Sequence, residues 1–133
     1  MKIVVDTNII FSATLSKNSI FREILSNNNF DFFAPKILYE EILNNLDKIS
    51  LYSKESPSEV INYLSKILQR INFINLELIP DDIYIKAYEL CNDYDAEDTP
   101  FVALSLHLDA LLWTGDKIKN HLKKKGFDKF FKY

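Results

Sequence analysis

Apolar positions along the chain fall into short unbroken runs separated by longer helical stripes. Four runs have strand character: Ile3 to Val5, Phe30 to Ala34, Phe73 to Ile79 and Ala110 to Trp113. The first and last are apolar throughout, as strands covered on both faces are. A weaker fifth run spans Lys129 to Lys132. Ile20, Phe21, Ile24 and Leu25 mark one helix, and Ile37, Leu38, Ile42 and Leu46 another. Ser56-Pro57-Ser58-Glu59 reads as a capping box with proline at the first helical position. Val60, Ile61, Leu64, Ile67, Leu68 and Ile71 follow it at helical spacing. Pro80-Asp81 opens a helix to about Asn92, and Asp98 or Thr99 with Pro100 opens one to about Leu108. Asp116 or Lys117 opens a last helix ending at Gly126.

Strands alternating with helices predict an α/β fold, a three-layer sandwich with helices on both faces of a mostly parallel sheet of four to five strands. The 133 residues are expected to form one domain, residues 1–133. Ligands of such sheets collect at the carboxyl ends of the strands. The polar side chains at those ends are therefore the candidates for chemistry.

Composition narrows the chemistry. Apolar residues make up 47% and aromatics 14%, enough for a packed core. One cysteine excludes a disulfide framework and a cysteine-rich zinc module. With only Gly115 and Gly126, neither a phosphate-binding loop nor a dinucleotide fingerprint can be written. Phosphate, if handled, must be held by metal ions or by lysine and arginine. No signal peptide or membrane-spanning run is visible, so a cytoplasmic protein with no membrane contact is expected.

Asp6 follows Val4-Val5 directly, and Asp116 follows Leu111-Leu112-Trp113-Thr114-Gly115, so both stand at strand exits. Each could equally end a strand and cap a helix, but two such caps bring negative charge to one edge. Asp98 could cap the helix behind it or face the same edge, and Asp95 or Glu97 could serve in its place. At 100° per residue, Glu41 projects between Ile37 and Leu38, on the shoulder of a buried face, while Glu40 falls on the solvated side with Asn44 and Asp47. A carboxylate on that shoulder is desolvated unless something pairs with it. Two carboxylates ~4 Å apart repel by about 4 kcal/mol at an effective dielectric of ~20. A divalent cation relieves such a cluster, and oxygen-only ligands select Mg²⁺ or Mn²⁺ over Zn²⁺.

Four blocks, Val4-Val5-Asp6-Thr7-Asn8-Ile9-Ile10, Leu38-Tyr39-Glu40-Glu41-Ile42-Leu43, Asp98-Thr99-Pro100-Phe101-Val102-Ala103-Leu104-Ser105 and Leu112-Trp113-Thr114-Gly115-Asp116-Lys117, resemble a PIN-domain ribonuclease in order and spacing. The resemblance implies that Asp6, Glu41, Asp98 and Asp116 are the catalytic acids that bind Mg²⁺ or Mn²⁺, with Asn8 and Thr114 bracing the first and last. It also implies cleavage of single-stranded RNA by metal-activated water. In the VapC-like branch it further implies a toxin silenced by a cognate antitoxin, and often a homodimer.

The net charge of −3 conceals two unlike parts. From Lys117 onward stand seven lysines and one acid, Asp128, a net of +6, against −9 for residues 1–116. Lys117, Lys119 and Lys123 could guide an RNA backbone past the acids, or simply favour the negative end of their helix dipole. Two other readings compete. A non-catalytic binding module would keep the acids as caps. A haloacid-dehalogenase-type phosphatase would need an acid where Asn8 stands.

Overall fold

The computed structural model describes the backbone of residues 1–133 and every side chain except that of Asp116. Four parallel strands, β1 (Lys2–Val5), β2 (Asp31–Pro35), β3 (Ile71–Ile74) and β4 (Leu111–Trp113), form one sheet in the order β3-β2-β1-β4. Eight helices surround it: α1 (Thr7–Leu15), α2 (Ile20–Leu25), α3 (Ile37–Asn44), α4 (Leu46–Tyr52), α5 (Pro57–Gln69), α6 (Asp81–Cys91), α7 (Thr99–Leu108) and α8 (Asp116–Lys124). β1 lies between two neighbours, and Ile3, Val4 and Val5 are fully buried, as their unbroken apolar run requires. α7 packs on β1, β2 and β4 and carries α6, while α1 touches α2, α3, α4 and α5. No helix among the described residues is long and apolar enough to cross a membrane.

Three expected elements shift. β3 begins at Ile71, not Phe73, and ends at Ile74. Arg70 closes α5 and donates to the Leu25 and Asn27 carbonyls and to Asn28, which stops the helix before Ile71. The Asn75 side chain then accepts from the Glu77 amide and turns residues Leu76–Leu78 into a single 3-10 turn. The stripe from Ile37 to Leu46 breaks at Asn45, whose backbone (φ −117°, ψ 16°) leaves the helical region and starts α4 in a new direction. The fifth run does not form a strand. The tail instead lies beside β4 through one bridge, Leu112 to Phe130. The Leu112 amide donates to Lys129 O (2.9 Å) and the Phe131 amide to Leu112 O (2.9 Å). Phe130 and Phe131 are buried there, with Phe131 5.3 Å from the Trp113 ring centre.

Residues 7–15, which carry no helical stripe in the sequence, form α1. Thr7, Ile9, Ile10, Ala13 and Thr14 are all buried, so the helix is covered on more than one face and its apolar residues show no period. The capping box forms as its residues specify: the Ser56 hydroxyl accepts from the Glu59 amide, and the Glu59 carboxylate accepts from the Ser56 amide. Arg22 of α2 forms an ion pair with Glu55, donates to Ala13 O (2.5 Å) and lies 3.8 Å from the centre of the Tyr63 ring.

Candidate functional site

Asp6 leaves β1 at its carboxyl end, where its amide donates to Trp113 O and continues the pairing with β4 (3.0 Å). The next residue starts α1, so Asp6 is also a helix cap. One carboxylate oxygen accepts from the Asn8 amide (3.4 Å), and the other accepts from the Thr114 hydroxyl (2.6 Å). Thr114 immediately follows β4, so this bond ties together residues 108 apart in sequence. Burial pushes the Asp6 carboxyl above its usual range, and the Thr114 hydroxyl only partly offsets it.

Asp98 occupies the cap position of α7 but makes no side-chain capping bond. Capping falls to Asp95, which accepts from the Glu97 amide (3.0 Å) at the head of the 3-10 turn Ala96–Asp98. The Asp98 carboxyl is pushed up to about 7, by burial first and then by the charges of Asp6, Asp95, Glu41 and Glu97. Glu41, in the middle of α3, is half-buried while Glu40 is exposed, as the projection onto the shoulder of that helix required. Burial raises the Glu41 carboxyl, as do Asp6, Glu97 and Asp95. The nearby Thr7 hydroxyl tempers that rise without completing a hydrogen bond of good geometry. Acids from β1, α3 and the turn before α7 thus act on one another electrostatically. The side chain of Asp116 lies outside the described residues.

A cleft of about 270 Å³ opens among Asp6, Asp95, Asp98, Asn8, Thr114 and Lys117. Glu41 stands outside its wall. Tyr94 also lines the cleft, stacked on His121 at 5.0 Å, and nothing in the spacing of apolar residues marks it. The remaining sequence-derived lysines lie elsewhere on α8, with the Lys119 and Lys123 ammonium groups 5.8 Å and 5.9 Å from the centre of the Phe130 ring. A larger groove of about 420 Å³ lies between α3 and α5, but its walls, among them Tyr39, Leu43, Ile61 and Phe73, are mainly apolar. The smaller, carboxylate-lined cleft is therefore the candidate chemical site.

Among the described residues, no three acid, histidine or cysteine side chains converge as a ready-made metal cage. The donor set nonetheless suits one kind of ion. Mg²⁺ keeps several of its waters and is held by one or two carboxylates. Asp98, uncommitted to capping and crowded by like charge, has the character such a role requires.

The comparisons with known proteins bear on the family and the fold. The family model described as PIN domain matches residues 4–124. No curated protein sequence matches the chain. Among solved structures, VapBC2 from Rickettsia felis, crystallised bound to a DNA fragment from its promoter, is similar at a TM-score of 0.68 and 17% identity, over 92% of this chain and 93% of that one. VapBC-1 from nontypeable Haemophilus influenzae is similar at 0.63 and 19%, over 93% and 94%. At such identities the likeness concerns the fold. The family match runs from the second half of β1 through both strand exits to the end of α8, and the chain belongs to the PIN-domain family.

Proposed function

We propose that this protein is a Mg²⁺- or Mn²⁺-dependent endoribonuclease that hydrolyses phosphodiester bonds of single-stranded RNA. The observation that carries this reading is the convergence of Asp6, Asp95 and Asp98 on one cleft at the carboxyl edge of a parallel sheet, with Glu41 close enough to add to the repulsion. Like charges held close are unfavourable unless a cation joins them. Asp6, Glu41, Asp98 and Asp116 are the residues that would hold it. When bound, the ion supplies neutralising charge for a phosphodiester and lowers the pKa of water. The chain's own groups do the rest. The Thr114 hydroxyl and the Asn8 amide fix the Asp6 carboxylate in one orientation. Lys117, on the cleft wall, offers a positive charge to the substrate backbone.

The experiment is cleavage of a generic single-stranded RNA by purified protein with Mn²⁺ or Mg²⁺. Chelator is expected to stop it, and Asp6→Asn is expected to abolish it while circular dichroism stays native. Cleavage that survives both treatments removes the metal mechanism. One observation favours a second reading, a non-catalytic binding module: both Asp6 oxygens already have partners, as structural caps do. No cleavage by partner-free protein selects that module.

The toxin role, with a cognate antitoxin and a homodimeric state, extends the same reading. It is supported by resemblance to the VapC-like branch and by likeness in fold to VapBC structures. Expression of the wild type is expected to arrest growth and Asp98→Asn is not. Equal growth of the two strains removes the toxin role.

A further inference from the structure

Two helices meet beside the cleft without filling the space between them. The residues of α1 turned to that space are Asn8, Phe11 and Leu15, and those of α4 with its leading residue are Asn45, Lys48, Ile49 and Tyr52. The break at Asn45 is what turns α4 toward α1. Between them lies a pocket of about 260 Å³ with mainly apolar walls. Tyr52 is 65% exposed and Leu15 39%. Asn8 lines this pocket and the acidic cleft alike, so the two openings share a wall.

We propose that the pocket between α1 and α4 is a subsite for one unpaired nucleobase of the RNA whose backbone crosses the carboxylates, with Tyr52 and Phe11 as its stacking faces. The proposal rests on the endoribonuclease reading and gives that substrate a place to lie. The volume is smaller than a pocket for a drug-sized ligand, which suits a single ring system. A base has an apolar face and a polar edge. The pocket matches both, with Phe11, Leu15, Ile49 and Tyr52 on its walls and the Asn8 and Asn45 amides and the Lys48 ammonium as its polar groups. The Asn45 amide nitrogen already donates to Glu41 O (2.7 Å), so an aliphatic side chain from a protein partner would leave the Asn45 amide oxygen and the Asn8 amide unmatched. Lys48 also adds a positive charge to the pocket, where a phosphate joined to the bound base needs it. Stacking on an aromatic ring tolerates any base, so the subsite positions the strand without reading its sequence.

The test uses the full-length protein and an eight-nucleotide single-stranded RNA in Mn²⁺, with steady-state cleavage and, on an Asp6→Asn background, fluorescence anisotropy. Tyr52→Ala is expected to raise KM and weaken binding by on the order of ten- to a hundredfold while kcat holds within about twofold. Tyr52→Phe is expected to restore binding, because a ring remains. Leu51→Ala, at an exposed neighbour outside the pocket, is expected to change nothing. Wild-type KM and binding in Tyr52→Ala, with cleavage intact, overturn the subsite alone and turn the pocket over to a protein partner. Equal losses of kcat in Tyr52→Ala and Tyr52→Phe, with KM unchanged, also overturn it. Failure of the wild type to bind or cleave RNA overturns the endoribonuclease reading, and the subsite falls with it.

Discussion

Near α2 and the start of α5, Arg22 and Glu55 pair with side chains only 13% and 10% exposed. Arg22 is further satisfied by Ala13 O and by the Tyr63 ring, so every charge removed from water there has found a partner. At the carboxyl edge of the sheet, Asp6, Glu41 and Asp98 are drawn out of water with charges of their own sign, and no ion pair among the described residues joins them. The first arrangement is what a fold needs in order to be stable. The second is unfavourable as it stands and persists because the neighbouring structure holds it: the β1–β4 pairing, the Asn8 cap and the Thr114 hydroxyl. Removing a charge should therefore have opposite consequences at the two places.

Asp98→Asn is expected to have the largest effect on activity, a loss on the order of a hundredfold or more in cleavage with a native circular dichroism spectrum. A variant that cleaves like the wild type breaks the contrast at once. Arg22→Ala is the mirror experiment. It strands a buried carboxylate and is expected to lower stability by about 3 kcal/mol in urea titration, while cleavage per folded molecule stays unchanged. Thr114→Val lies between the two, removing a 2.6 Å bond to a charged acceptor. About 2 kcal/mol of stability at neutral pH and weaker Mn²⁺ binding by calorimetry are the expected outcomes.

The smallest effect is a pH dependence. The Asp98 carboxyl sits at about 7 in the fold against 3.8 for an ordinary aspartate. A raised carboxyl contributes stability that is fully present below about 3.8 and lost as the pH rises through about 7. In chelator, the wild type is therefore expected to lose stability relative to Asp98→Asn between pH 5 and pH 8, by on the order of 1 kcal/mol once solvent screening is allowed for. Parallel profiles for the two proteins remove the electrostatic account of the cleft. A profile that flattens on adding Mn²⁺ sharpens it.

Much of this contrast was legible in the residues. β1 and β4 are apolar runs followed by an acid and a threonine, as parallel strands covered on both faces are. The Ser56 capping box is a local arrangement and formed as its four residues specify. What escaped was set by distant packing. α1 has no visible stripe because it is buried on several sides, and the turn at Asn45 depends on how α4 meets α1. The register of β3 was decided by Arg70 reaching the Leu25 carbonyl and the loop after α2, which no local spacing encodes. The site divided in the same way. Asp6 was legible at a strand exit and Thr114 through the family resemblance, whereas Tyr94 entered the cleft from an unmarked turn.

The strand order carries one more consequence, in time. β1 leaves the ribosome long before β4, yet the two are neighbours in the sheet. Until Trp113 and Thr114 emerge, Asp6 lacks its hydroxyl partner and one flank of its strand is open. The cleft therefore has no partly built version on a nascent chain. Whatever it does to its substrate begins only after β4 and Thr114 have been translated, which separates the making of Asp6 from its action.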